Sequence, residues 1–228
     1  MRNSGKAFRA GLRLIFWTLL LLVSVFGIGV LAMVLGAFTA AITTATISVW
    51  ILFAVFTLYF FRDPSPRKLS IPNAIVAPAH GKIDLIDETT EEIVMGGPCR
   101  RISIFLSVFN VHVQHAPVSA KVTYLKHTAG KFLSATRSDC GEHNENVLLG
   151  LEATEYPGQK IGVRLIAGLI ARRIIPWIEP GETVNRSDRI SLIQYGSRCE
   201  LYLPLSVKVH AKLGDKVRGG ETLVASFD

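Results

Sequence analysis

Gly196-Ser197 is the pair in this chain whose types and setting could do chemistry on the backbone itself. It sits in Gln194-Tyr195-Gly196-Ser197-Arg198-Cys199-Glu200-Leu201-Tyr202-Leu203-Pro204, with strand-like apolar residues leading in and out. Glycine permits backbone geometries closed to other residues, and a serine hydroxyl becomes a nucleophile once a base takes its proton. A chain break at this point would turn Ser197 into a pyruvoyl group, an electrophile made from the protein. On its own the pair would mark only a turn, so its meaning depends on what surrounds it.

A base is needed, and His112 is the first candidate because imidazole titrates near neutral pH. It follows Phe105-Leu106-Ser107-Val108-Phe109-Asn110-Val111, which reads as an apolar strand, where a histidine is more often a hydrogen-bonded structural residue. His115 lines the same site or sits in the turn before Ala116-Pro117. Glu142 and Asn144, in Gly141-Glu142-His143-Asn144-Glu145-Asn146, either support the site or belong to a polar loop. Arg198 could meet a substrate phosphate or carboxylate, or pair with Glu200 or another acid; Arg172-Arg173 offers a similar choice between lipid phosphate and solvent. His80, Asp84, His112, His115 and Glu142 do not form an established metal-ligand motif, and no metal is expected. Cys99, Cys140 and Cys199 are scattered and read as reduced thiols.

These residues need a scaffold, and the chain divides into two regions that could supply one. No charged residue occurs from Leu14 through Phe61. One membrane-crossing helix takes roughly 20 apolar residues, so the stretch predicts two spans, near residues 14–35 and 43–61, turning through Gly36–Thr44. A cleavable signal peptide has a far shorter apolar core. Arg2, Lys6, Arg9 and Arg13 precede the first span, and Arg62, Arg67 and Lys68 follow the second. Positive flanks stay in the cytoplasm, so a hairpin places the rest of the chain at the cytoplasmic side of the cell membrane. Of the 25 basic residues, four lie in this first region with no acid, leaving 21 basic against 18 acidic residues beyond it. The net charge of +7 is thus partly a topology signal, and without a basic stripe carrying interleaved aromatics no nucleic-acid partner is expected.

Residues 62–74 read as a proline-punctuated linker, and residues 75–228 as a domain of strands. Ala74–Ile86, Arg101–His112, Ala120–Lys126, Asn146–Leu151, Ile161–Ile170 and Arg189–Leu203 are rich in Val, Ile, Leu and aromatics, with helical turns expected near Ala171–Trp177. At the C-terminus, Val207–Ala225 runs strand, Gly214-Asp215 turn, Val217, Gly219-Gly220 turn, strand. This rhythm resembles the barrel-sandwich of biotinyl and lipoyl carriers, and Ala77–Ile83 could supply the other half. No lysine stands in the Met-Lys context that carriers modify. The expected fold is a mainly β (α+β) soluble domain with barrel-sandwich-like elements, preceded by an N-terminal transmembrane helical hairpin, residues 1–61.

Read together, the motifs resemble the phosphatidylserine decarboxylase proenzymes in their short bacterial form, over almost all of the chain. Phe60-Phe61-Arg62-Asp63-Pro64 is similar to a juxtamembrane motif of that family. Phe105–Val118 is similar to its histidine motif, Ile166–Ile174 to another of its strings, and Tyr195-Gly196-Ser197-Arg198 to its cleavage site. The resemblance implies that Ser197 attacks the Gly196 carbonyl carbon with His112 as base, exchanging the amide for an ester. Elimination then leaves dehydroalanine, whose hydrolysis with loss of ammonia gives the pyruvoyl cofactor on an α-chain, residues 197–228, paired with a β-chain, residues 1–196. It implies a phospholipid substrate in the membrane, phosphatidylserine, converted to phosphatidylethanolamine and carbon dioxide. One departure stands out. The family has Pro-Ala-Asp-Gly where this chain has Pro78-Ala79-His80-Gly81, and that aspartate orients the catalytic histidine. Either His80 bonds His112 as a neutral partner, or Asp84, Asp87 or Glu142 takes the role, or self-processing is impaired. Two other readings stay open: a membrane-tethered barrel-sandwich adaptor without activity, and a pyruvoyl decarboxylase of another amino-acid-headed lipid. Whether the chain forms a higher oligomer is open as well.

Overall fold

The computed structural model describes residues 5–33, 37–67, 69–133, 140–169, 173–194 and 197–227. Two units emerge, Gly5–Asp63 and the rest of the chain from Pro64.

The first unit is a pair of helices, α1 (Lys6–Met33) and α2 (Ala37–Phe60). Both are long and apolar enough to cross a membrane. They start earlier than the uncharged run alone suggests. Lys6, Arg9 and Arg13 are good helix formers and extend α1 upstream of Leu14, while the alanine-rich Ala37–Thr44, expected as a turn, is the first part of α2. Small residues bring the helices together: a Cβ on Gly29 would lie 2.7 Å from the Thr43 hydroxyl, and one on Gly11 would lie 2.9 Å from Phe61 Cβ. The hydroxyls of Thr18, Ser24, Thr46 and Thr57 bond back to helix carbonyls, which removes polar surface an apolar surrounding would penalise. Phe16, Trp17, Leu21, Ile28, Val49 and Leu52 are exposed. At the end of α2 the Arg62 guanidinium lies 3.9 Å over the Tyr59 ring, the amphipathic pairing favoured at a membrane–water boundary.

The second unit is almost entirely antiparallel sheet. Its strands are β1 (Ala74–Val76), β2 (Gly81–Glu91), β3 (Gly97–Leu106), β4 (Val113–His115), β5 (Ala120–Thr128), β6 (Asn146–Ala153), β7 (Lys160–Ala167) and β8 (Arg173–Pro176). They continue as β9 (Thr183–Val184), β10 (Arg189–Gln194), β11 (Ser197–Leu203), β12 (Lys208–Val209), β13 (Lys216–Val217) and β14 (Leu223–Ser226), with one helical turn, α3 (Cys140–His143), before β6. Eight strands form the main sheet in the order β13-β2-β3-β11-β7-β6-β5-β9. Two three-stranded sheets, β1-β14-β12 and β4-β10-β8, accompany it. Between them lies one apolar core that includes Ile83, Ile104, Leu106, Leu149, Leu165, Cys199, Leu201 and Leu203.

The two halves of the expected sandwich do meet. Gly81 and Lys82 pair with Val217 and Lys216, Ala77 N–H donates to Thr222 O (2.9 Å), and Gly220 N–H donates to Ala77 O (2.8 Å). Two expected strands are broken and one stretch expected as helical turns is partly a strand, each for a local reason. Ala74–Ile86 divides at Ala77–His80, where the chain passes from one sheet to another. Arg101–His112 ends at Leu106, because the Asn110 side chain turns the backbone by accepting from Ser107 N–H (2.9 Å) and Ser107 Oγ–H (2.8 Å). Residues 173–176, within the stretch expected to be helical turns, form β8 because β10 offers a ladder from Ser191 to Gln194; Ala171 and Arg172 lie outside the described residues. The linker is held as well. Arg186 donates to the carbonyls of Leu69 (2.7 Å), Ile71 (2.7 Å), Pro72 (3.3 Å) and Ala74 (3.1 Å).

Candidate active site

Ser197 opens β11, the strand with β3 on one side and β7 on the other. It stands opposite Leu106 and Ala167 in the two ladders. Side chains alternate along a strand, so Ser197 shares a face with Cys199, Leu201 and Leu203, all in the apolar core. The serine is fully buried, and its Oγ has no hydrogen-bond partner among the described residues. A buried hydroxyl left unpaired costs about 1–3 kcal/mol, so strength of fold is not what this serine provides. Gly196 and Tyr195 lie outside the described residues.

The segment that carries His112 brackets this junction. Leu106 ladders with Ser197, and six residues later the His112 carbonyl accepts from Ile193 N–H (3.1 Å), near the end of β10. Gln114 Nε2 donates to the same carbonyl (2.7 Å), while its Oε1 accepts from Ser191 Oγ–H (2.7 Å). His112 therefore sits in a loop between β3 and β4, not on the expected apolar strand, and it is fully buried. Its Nδ1 lies 2.9 Å from Asn110 O. A carbonyl can only accept, so Nδ1 carries the proton in the neutral ring and Nε2 carries the lone pair. That is the tautomer a general base requires.

His80 and His115 lie side by side, their rings edge to face with centroids 6.1 Å apart. The His115 ring is buried against Gly219 and Gly220: a Cβ on Gly219 would sit 3.0 Å from Nδ1, and one on Gly220 would sit 3.2 Å from Cδ2. This close approach, with Gly220 at φ +74°, is what the Gly-Gly turn serves. Neither ring nitrogen of His115 has a hydrogen-bond partner among the described residues. Burial, reinforced by the positive potential of His80 and Arg189, pushes its pKa down to about 3, so the ring is neutral at physiological pH. His80 is half-buried at the edge of a cleft of about 500 Å³. Ser107 and Asn110 line the same cleft, which connects it to the loop that orients His112.

The opposite face of β11 is built from charge. Arg198 donates to Asp84 Oδ2 (2.6 Å), Asp84 Oδ1 (3.3 Å) and Ser103 Oγ (2.8 Å). Glu200 accepts from the Tyr202 hydroxyl (2.5 Å) and lies 3.6 Å from Arg101, which also holds Asp87 at 2.6 Å. Burial, then the charge of Glu200, pushes the Tyr202 hydroxyl pKa up, and burial does the same to the Cys199 thiol. Two of the acids weighed as orienting partners for His112, Asp84 and Asp87, are thus engaged with arginines. The side chain of Glu142, on α3, lies outside the described residues. Asn144 is buried and joins three segments: Nδ2 donates to Leu133 O (2.8 Å) and to Ala167 O (2.7 Å), and Oδ1 accepts from Leu133 N–H (2.8 Å). Because Ala167 is the ladder partner of Ser197, Asn144 fixes backbone next to the serine.

Sequence reasoning missed Asn110, whose carbonyl sets the His112 tautomer and whose side chain makes the turn. The signal was there as Ser107-Val108-Phe109-Asn110, a four-residue turn spacing hidden by apolar neighbours. It also missed Lys82 and Lys216, which the β2–β13 ladder brings together on the cleft.

The sequence model of a family described as phosphatidylserine decarboxylase matches residues 53–225. The chain is 45% identical over 179 residues to the phosphatidylserine decarboxylase proenzyme of Desulfotalea psychrophila, covering 78% of this chain and 83% of that one. It is 39% identical over 173 residues to the proenzyme of that name from Syntrophus aciditrophicus, covering 76% and 80%. With the one from Symbiobacterium thermophilum it shares 37% over 195 residues, covering 83% and 90%.

Proposed function

The chain belongs to the phosphatidylserine decarboxylase family, and from that premise we propose that it removes the headgroup carboxylate of phosphatidylserine as carbon dioxide, leaving phosphatidylethanolamine, after cutting itself between Gly196 and Ser197. The observation that carries the reading is the Ser197 hydroxyl, buried with no hydrogen-bond partner among the described residues at the start of a central strand. A pyruvoyl group at this position fits the site, since it needs no more room than the serine and its formation removes the orphaned hydroxyl. That group supplies a conjugated carbonyl able to take up the electrons left as carbon dioxide departs.

The chain's own residues do the rest. In self-cleavage His112 Nε2 takes the Ser197 proton, Oγ attacks the Gly196 carbonyl carbon, and the imidazolium formed is held in place by Nδ1–H donating to Asn110 O. A backbone carbonyl would thus do the orienting that a carboxylate does in the wider family, which is how a chain with His80 in place of aspartate can still process. In turnover His112 returns a proton to the carbon that has lost its carboxylate. His80, packed against His115 at the cleft, faces the headgroup, and Glu142 and Asn144 support the loop beside Ala167. Arg198 fixes the register of β11 through Asp84 and Ser103.

Cleavage yields a β-chain, residues 1–196, and an α-chain, residues 197–228, that stay together. The α-chain supplies β11 to β14, with β11 laddered on both edges and β14 between β1 and β12. The anchor is residues 1–61, the linker 62–74 and the catalytic domain 75–228, on the cytoplasmic side. Membrane association keeps the enzyme where its lipid substrate resides.

Denaturing mass spectrometry of the membrane-extracted protein tests this reading. The expected result is two chains, the smaller beginning with pyruvoyl in place of serine, from a preparation that releases carbon dioxide from phosphatidylserine. A single intact chain would favour a tethered adaptor, and two chains without lipid decarboxylation would move the reading to another amine-and-carboxylate headgroup.

A further inference from the structure

Lys82 and Lys216 stand directly opposite one another in the β2–β13 ladder. Like charges directly opposite one another destabilise a strand pair, whereas opposite charges there stabilise it. Neither lysine has an ion-pair partner among the described residues, while the nearby Asp84 is taken by Arg198. Both lysines line the cleft that also holds His80, Ser107 and Asn110. Arg218 stands two residues beyond Lys216 on the same cleft, and its contact with Glu221 is long, at 3.7 Å, and exposed. Three cations therefore line one cleft, and among the described residues neither lysine of the pair has an ion-pair partner there. The cleft borders Phe105, the neighbour of the residue that ladders with Ser197.

We propose that Lys82 and Lys216, with Arg218 at the rim, bind the phosphodiester of the substrate headgroup and so set the distance from lipid phosphate to the reacting carbon at residue 197. This rests on the decarboxylase reading above. A phosphodiester is an anion with oxygens able to accept from several ammonium and guanidinium donors at once. Its arrival would relieve the repulsion between the paired lysines, so the cost carried by the free protein becomes selectivity for a phosphate-bearing amino-acid headgroup.

The test uses the full-length processed protein in neutral detergent micelles, with phosphatidylserine as the sole anionic lipid. In Lys82→Gln/Lys216→Gln, scored only on protein that has separated into two chains, KM for phosphatidylserine rises about tenfold or more, the loss falling on KM rather than kcat. Lys82→Arg/Lys216→Arg restores most of the affinity, which a merely structural role would not permit. An unchanged KM, or an arginine variant as impaired as the glutamine variant, overturns the proposal. A second arm separates substrate phosphate from bilayer charge. Sedimentation with phosphatidylglycerol–phosphatidylcholine vesicles should be the same for wild type and glutamine variant, and a loss of vesicle binding would overturn the assignment to substrate. Wild-type protein that processes yet releases no carbon dioxide would defeat the decarboxylase reading instead, a result distinct from an active wild type with an indifferent variant.

Discussion

The two faces of β11 are buried alike but treat their polar groups in opposite ways. Arg198, Glu200 and Tyr202, on one face, are each tied to partners: Asp84 and Ser103, Arg101, and one another. Ser197, on the other, has a hydroxyl set among apolar neighbours without a hydrogen bond among the described residues. The satisfied face holds the strand in register. On the proposed reading, the unsatisfied position leaves Ser197 undistracted by competing donors and acceptors, at a cost in stability that reactive sites commonly bear. Adjacent residues thus serve the fold and the chemistry separately, and their variants should move in opposite directions.

The largest effect is expected from Ser197→Ala. Cleavage and carbon dioxide release are lost completely, while the unprocessed protein melts higher than an uncleaved wild-type sample, since removing the orphaned hydroxyl returns about 1–3 kcal/mol. Mass spectrometry and a thermal melt in detergent measure both, and a lower melting point would break the contrast between the faces. His112→Ala comes next. Losing a general base slows self-cleavage by about 10²–10⁴-fold, read as the half-time for the precursor to disappear in a pulse-chase experiment; wild-type kinetics would remove His112 from the machinery. On the satisfied face, Arg198→Met leaves the Asp84 carboxylate without its partner. The expected loss is about 2–4 kcal/mol, below the full figure for a buried pair because Asp84 is partly exposed. Processing of the molecules that do fold should continue, and a variant that folds normally but fails to cleave would place Arg198 in the chemistry after all.

The smallest effect concerns pH. The His115 pKa is lowered to about 3 in the folded protein, against about 6.5 for an unperturbed histidine. The unfolded chain therefore takes up this proton first as pH falls below about 6.5, and stability drops progressively from there towards pH 3. The charges facing the ring, His80 and Arg189, act in the same direction. His115→Asn should flatten the acid side of a melting-temperature profile while leaving the neutral side in place. A profile as steep as wild type would show that other groups set the acid limit.

Some of this was legible without coordinates because it depends on composition and local pattern. The uncharged run from Leu14 to Phe61 specifies apolar helices whatever surrounds it, and the Gly214-Asp215 and Gly219-Gly220 turns mark the breaks between the last short strands by residue type alone. The Gly-Ser pair between strand-like flanks falls at the start of β11, and the motifs around it pointed to the family. The span expected for the first helix starts too late because charge was used as its boundary, although lysine and arginine are as content in a helix as leucine, and that for the second because small and polar residues were read as a turn.

What the sequence determined by itself, then, was the inventory: two apolar helices, a set of strands, a serine after a glycine, and histidines that could serve it. Only the tertiary structure decided which atom of His112 carries the lone pair, since that depends on a carbonyl two residues away meeting the ring across a turn. It alone buried Arg198, Glu200 and Tyr202, because β11 is central in its sheet and buried on both faces. It alone put Lys82 opposite Lys216, residues far apart in the chain. Local preference fixes what each segment can be, but pairing across the sheet fixes which charges, donors and nucleophiles come to face one another, and that is where this protein's chemistry is set.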